Sequence, residues 1–326
     1  MASPVDPERD PNQAAATPPA AADAGYAQLF DLGPLPAVVT RMADHTIVAV
    51  NRAAADLVGV QQRRAIGLSV RLFYADPSAR ERLVEAIRRE GRADNVRLQI
   101  GRPLGDRSWV LANSRLLEFG GEPAILTVFH DITDQITAEQ ALRTSEQRLA
   151  IQSRVLTELT GRHADRRGSF DDELREILRA TAETLQVARA SMWRIDEGRD
   201  AITCVCMFHR AEDRFDMGGV LPRETAPDYF TAIERDRVIA SEDVLTDPRT
   251  REFKESYLVP NGIGAMLDIP LRQNDEMYGV LCSEHVGGRR EWMIDEQNFS
   301  MAAANLIVMA LTDDELRRTR KAAGMA

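Results

Sequence analysis

The sequence predicts an α+β protein, with two β-sheet domains joined by one long helix. Three observations predict it. Between Ala37 and Asp131, short β-branched runs alternate with Gly, Pro and Asp clusters in the order two strands, short helices, three strands. From Thr133 to Arg162 a Glu-, Gln-, Arg-, Ala- and Leu-rich run is broken only by Gly161, with Leu142, Leu149 and Leu156 seven residues apart. From Ser169 the pattern is helix first, strands in the middle, helix last.

Residues 1–24 are rich in Ala, Pro and Asp without an apolar period, and read as a disordered tail. Tyr26, Leu29, Phe30 and Leu32 mark a short helix stopped by Gly33 and Pro34. Strands are expected at 37–40 and 47–50 around a turn at Asp44. Asn51 then caps a helix over 52–58, closed by Gly59. Asp76 caps another, with Pro77 at its first position, Leu83, Val84 and Ile87 on one side, and Gly91 at its end. Strands at 95–100, 108–117 and 124–131 follow, turned at 101–106 and at Gly120-Gly121. This order implies a five-stranded antiparallel sheet with flanking helices, over residues 25–133.

Residues 134–165 form the linker helix. If Leu142, Leu149 and Leu156 take one coiled-coil seam position, Ala138, Ser145, Gln152 and Leu159 take the other. The two polar residues weaken the coil and fix its register. Leu142, Leu149, Leu156 and Leu159 are thus the candidate seam of a parallel homodimer.

The second domain spans 169–312. Ser169 to Asp172 reads as a capping box, and the helix behind it buries Leu174, Ile177, Leu178, Thr181 and Leu185. Strands are expected at 190–195 and 202–208, then a Gly218-Gly219 loop and a helix over 226–235. Further strands at 238–240, 264–270 and 279–284 precede a final helix from 295 that carries Phe299, Ala303, Leu306 and Ile307 inward. Residues 313–326 read as an exit helix, truncated or free.

Composition narrows the function. Hydrophobic residues make up 44% and the net charge is −10, which argues against nucleic acid or an anionic membrane as partner. No apolar run reaches about 18 residues, and the N-terminus lacks a signal-peptide pattern. Three cysteines make no disulfide framework and fit a reducing cytoplasm. Neither Lys254 nor Lys321 lies in a phosphate-binding loop.

Residues 26–135 resemble a PAS domain. The resemblance rests on Pro36-Ala37-Val38-Val39, Asn51 with Ala53-Ala54, Ile66-Gly67, and Phe73-Tyr74 leading to Asp76-Pro77, Arg80 and Arg82-Leu83. It continues through Gly120, Glu122-Pro123-Ala124-Ile125 and the terminal Asp131-Ile132-Thr133. Residues 169–312 resemble a GAF domain of bacterial sensor kinases and diguanylate cyclases. Here the matching text is Asp243, Asp247-Pro248-Arg249-Thr250, Phe253, Tyr257-Leu258 and Gly262-Ile263. The strings Ala265 to Pro270, Gly279 to Cys282, Glu284-His285 and Arg290-Glu291-Trp292 complete it.

The resemblance implies small-ligand binding or dimerisation upstream of an output. It places the relay between sheet and outgoing helix on Asp131 and Thr133. It places a ligand between the second sheet and the connection over 207–258, against Trp193, Met266, Asp268 and Cys282. Met266 and Asp268, two apart on one strand, share a face.

Cofactor signatures are weak. Haem needs an axial ligand, and the helices between 52 and 91 carry no His; His45 and His130 lie in a turn and at a strand end. The cysteine of a LOV flavin site is missing from the first domain, and the Cys-His pair of a covalent bilin site from the second. Cyclic-nucleotide GAF domains carry an Asn-Lys pair that this chain lacks. Cys204 and Cys206, two apart, are expected on one strand face as buried thiols, short of the four ligands of a zinc site. Gly120-Gly121-Glu122-Pro123 is broken by proline as a diguanylate cyclase signature, and His163 lacks a kinase phosphoacceptor box. No nucleophile–base constellation is visible. The expectation is a cytoplasmic, homodimeric, non-catalytic sensor that binds an unknown small ligand, with a downstream signalling protein as a further partner. The alternatives are the sensory half of a histidine kinase or diguanylate cyclase whose output domain is missing, and a ligand-free dimerisation scaffold.

Overall fold

The computed structural model describes residues 19–101, 105–165, 169–273 and 276–322. Most of the expected tail, and part of the turn at 101–106, lie outside these residues. The chain divides between Arg143 and Thr144 into two units.

In the N-terminal unit, α1 (Pro19–Asp31) begins inside the stretch expected to be tail. β1 (Ala37–Arg41) and β2 (Ile47–Val50) lead into α2 (Arg52–Leu57), α3 (Gln62–Ala65), a 3₁₀ turn at Val70–Phe73 and α4 (Pro77–Glu90). β3 (Arg92–Gly101), β4 (Arg107–Phe119) and β5 (Glu122–Asp131) complete an antiparallel sheet in the order β2-β1-β5-β4-β3. The caps fall where the sequence puts them. Asn51 Oδ1 accepts from the Ala54 and Ala37 N–H groups, each at 2.9 Å, so one side chain closes a helix and pins a strand. Asp76 accepts from the Ser78 N–H, Pro77 starts α4, and Gly91 ends it at φ 71°. The short α3 and the 3₁₀ turn have too few residues for a period to announce them.

α5 (Thr133–Asp165) spans the expected linker. In the C-terminal unit, α6 (Phe170–Thr184) opens on the predicted capping box of Ser169 and Asp172. β6 (Arg189–Ile195), β7 (Ala201–His209), β8 (Arg214–Asp216) and β9 (Val220–Pro222) follow, then α7 (Pro227–Arg235) and β10 (Ile239–Ser241). β11 (Ile263–Gln273) and β12 (Glu276–Val286) form the sheet centre, and α8 (Ile294–Ala322) is continuous through the expected exit helix. The sheet runs β10-β11-β12-β6-β7-β8 with β9 also paired to β7, and every pairing is antiparallel.

This sheet separates two cores. One face packs on α6 and α8 through Leu174, Leu178, Leu267, Leu281, Phe299 and Ile307. The other packs on α7 and the connection before β11, through Tyr229, Phe230, Ile233, Phe253, Leu258 and Met266. A bulge between Met192 and Trp193 shifts the β6–β7 register, so that Met192 faces Cys206 and Trp193 faces Cys204. Cys206 therefore joins the helix-side core and Cys204 the opposite one. This corrects the expectation that both thiols share a face.

The second half of α5 also differs from the seam reading. Leu159 is buried in the helix-side core and Leu156 packs partly against it, whereas Leu142 and Leu149 stay exposed. Gln152, expected as a polar seam residue, is buried and donates to Asp295 Oδ2 at 3.1 Å, beside Arg148, which pairs with both Asp295 oxygens. The later half of α5 lies against α8 and the helix-side core, which take up these side chains.

Candidate functional site

The strand order sets the site. In β11 and β12, Met266 lies opposite Glu284 and Asp268 opposite Cys282; in β6, Arg189 and Ser191 continue the two rows. Cross-strand partners share a face, so these side chains meet on the side of α7 and the connection. There the chain encloses a cavity of about 260 Å³. Trp193, Tyr229, Phe253 and Tyr257 wall it, Met266, Cys282 and Glu284 form its sheet side, and Gly218 and Gly219 lie at its edge. Both glycines have positive φ and exchange backbone hydrogen bonds with Cys204, bringing the loop between β8 and β9 close to β7.

Of the four residues expected at a ligand, Trp193, Met266 and Cys282 line the cavity. Asp268 does not line it; it lies fully buried behind Tyr229, whose hydroxyl donates to Asp268 Oδ2 at 3.0 Å and stands 3.8 Å from Cys282 Sγ. Asp268 Oδ1 has no partner. Burial pushes the Asp268 carboxyl up to about 7, against the opposing hydrogen bonds from Tyr229 and Cys282. Burial likewise raises the Tyr229 phenol and the Cys282 thiol, so the thiol stays protonated.

Sequence reasoning missed the second polar group. Glu284, buried, accepts the Tyr257 hydroxyl at 2.6 Å and the Arg189 Nε–H at 2.6 Å. Arg189 Nη1 donates to Asn261 at 3.0 Å, while Nη2 is buried without a partner. Alternation along β12 could have found Glu284: a glutamate two residues from Cys282 on a buried strand shares its face. Tyr229 was legible as an inward residue of α7, but its partner across the fold was not. Both tyrosine hydrogens are committed to carboxyls, so oxygen lone pairs dominate the polar surface offered to an occupant.

The N-terminal unit contrasts with this. Its core cavity measures about 30 Å³, lined by Val38, Ile47, Val70, Phe73, Ile100 and Phe129 among others. That is room for about one water, and an apolar site does not hold one. At the end of this unit, Asp131 Oδ1 accepts the Thr133 N–H at 2.9 Å, and Thr133 Oγ1 accepts the Trp109 N–H at 2.9 Å. These two residues thus join the first turn of α5 to β4 as well as to its own strand. Along α5, Leu149 and Leu156 line a groove of about 510 Å³ with Asn298 and Phe299 of α8. Among the described residues, no group of three or more His, Cys, Asp or Glu side chains is placed to hold a metal, and no helix is long and apolar enough to cross a membrane.

Residues 35–134 match the family model of the PAS domain, and residues 169–311 that of the GAF domain. No curated protein matches the chain. Among solved structures, the bacteriophytochrome RpBphP3 from R. palustris is similar at 12% identity and a TM-score of 0.43, over 89% of this chain and 60% of that one. The photosensory core module of Stigmatella aurantiaca phytochrome is similar at 14% identity and a TM-score of 0.41, over 86% of this chain and 57% of that one. The chain thus spans less than two thirds of either. The GAF domain of a phosphoenolpyruvate-protein phosphotransferase from Coxiella burnetii is similar at 13% identity and a TM-score of 0.44, over 52% of this chain and 98% of that one.

Proposed function

We propose that this chain, a signal-sensing protein built of a PAS domain followed by a GAF domain, takes its small ligand in the GAF cavity and uses the PAS domain as a packed relay. One observation carries the reading: the GAF domain keeps about 260 Å³ open between aromatic walls, whereas the PAS core keeps about 30 Å³. Ligand sites usually measure about 300–1,000 Å³, so the occupant is small. The aromatic walls favour an apolar or planar body. The lone pairs of Glu284 and the tyrosines along the cavity wall favour an N–H or O–H donor on it.

Ligand entry biases a dimer that is joined through the outward leucines of α5, and Asp131 and Thr133 couple that helix to the PAS sheet. The chain itself performs no catalysis and hands the change to a downstream protein. A thermal-shift screen of small metabolites tests the ligand claim. At least one N–H- or O–H-bearing compound should raise the melting temperature of the wild type and not of Met266→Trp, in which the indole fills the cavity. If nothing raises the melting temperature of the wild type, the GAF domain is a scaffold and the reading fails.

A further inference from the structure

We infer that the GAF cavity takes an organic ammonium ion, either a quaternary ammonium or a protonated amine on a small apolar body. This rests on the reading of the cavity as the ligand site, and narrows its occupant to a cation. Trp193, Tyr229, Phe253 and Tyr257 all line the cavity. Between ring centroids, Trp193 meets Tyr257 at 6.4 Å, Tyr257 meets Phe253 at 6.5 Å, and Phe253 meets Tyr229 at 5.2 Å. The planes of these pairs are inclined at 89°, 61° and 82°, so the rings present faces as well as edges to the space they line. The face of an aromatic ring attracts a cation, and rings grouped around one space hold even an ammonium that has no hydrogen to donate.

The polar groups of the wall select the same charge. Among the described residues no Lys, Arg or His lines the cavity. The side-chain donors that do line it are already committed. Trp193 Nε1 donates to Ser191 Oγ at 3.0 Å, the Tyr229 hydroxyl to Asp268 at 3.0 Å, the Tyr257 hydroxyl to Glu284 at 2.6 Å, and Ser256 Oγ to the Phe253 carbonyl at 3.4 Å. The Cys282 thiol hydrogen-bonds Asp268 as well. An anion in this space would find no free side-chain donor to replace its hydration, and its burial would be costly. Carboxyl groups, by contrast, are in excess. Arg189, which does not line the cavity, pairs with Glu284 at 2.6 Å. Asp268, behind Tyr229, is fully buried, has no partner at Oδ1, and makes no ion pair among the described residues. Arg249, which acts on Asp268 electrostatically, is held by Asp247 at 2.7 Å. A cation in the cavity supplies the opposite charge that the Asp268 carboxyl lacks.

The test is isothermal titration calorimetry of the full chain with compounds matched in shape and differing in charge. Choline is paired with its neutral isostere dimethylbutanol, which has carbon in place of nitrogen. Phenethylammonium is paired with neutral phenethyl alcohol and with the anion phenylacetate. At least one of the two cations should saturate at one per chain and bind about tenfold or more tightly than its neutral isostere. Its binding should disappear in Met266→Trp, and phenylacetate should not bind. Phe253→Leu removes one ring from an apolar wall; it should weaken the bound cation about fivefold and leave the neutral isostere unchanged. Should one of these variants not fold, the other variant and the matched compounds on the wild type decide. The inference is overturned if a neutral isostere or phenylacetate binds as tightly as the cation, or if the cation binds Met266→Trp unchanged. If neither cation binds, while a neutral metabolite raises the melting temperature of the wild type and not of Met266→Trp, the cavity remains the ligand site and only its cationic occupant is refuted. If nothing binds, both readings fall.

Discussion

Asp268 is a residue whose chemistry the fold reshapes. The unfolded chain ionises it near 3.8, the folded one near 7. Between those values the native state holds a proton that the unfolded state has lost, so its stability contribution is full below 3.8 and falls as pH rises through about 7. Asp268→Asn removes this titration. Relative to the variant, the wild type should lose on the order of 4 kcal/mol of unfolding free energy between about pH 4 and pH 8. Urea unfolding of both proteins across that range checks it, and parallel profiles would show that Asp268 does not titrate with folding. The buried acid was visible in the sequence as a polar residue on an otherwise apolar strand; its distance from the cavity was not. Cys204 and Cys206 show why. Period-two reasoning puts them on one face, but a single bulge opposite Trp193 separates them, and a bulge leaves no mark in residue type.

Among the elements, α5 is the one on which the proposed relay and assembly rest. Leu142 and Leu149 are 60% and 50% exposed, which leaves them free to meet a second copy, whereas Leu159 is committed to the chain's own core. Leu142→Glu with Leu149→Glu should therefore yield monomers by light scattering without loss of helix content. A dimer of unchanged affinity would put the contact elsewhere. The Asp131 cap makes a separate prediction. Asp131→Ala removes the acceptor of the Thr133 N–H, a cap worth about 1 kcal/mol. Amide exchange over residues 134–143 should speed up about fivefold while β1 and β5 keep their protection. Unchanged exchange in the helix would break the proposed coupling. The heptad spacing made the helix and its outward leucines legible. The fates of Gln152 and Leu159 were not, because they depend on what α8 presents to them, and α8 is more than a hundred residues away in sequence.

At the scale of the whole molecule, the two domains differ in packing, and the proposed division of work rests on that difference. Element order and caps could be read from residue pattern, since each depends on local spacing and turn chemistry, and both domain types from the resemblance of their motifs; the order of strands within each sheet could not. Whether a domain is hollow depends on how side chains from distant elements fill a volume, and local pattern is blind to that. The PAS interior closes on valine, isoleucine and phenylalanine, while the GAF interior stays open behind Tyr229 and Tyr257. Native mass spectrometry of the purified full chain and of Met266→Trp tests this division directly, after both have been incubated with the compound that most raises the wild-type melting temperature. The account predicts a wild-type dimer carrying one small molecule per chain, and a Met266→Trp dimer carrying none. Equal occupancy in both proteins, or a wild type that stays empty in every mixture, would contradict it.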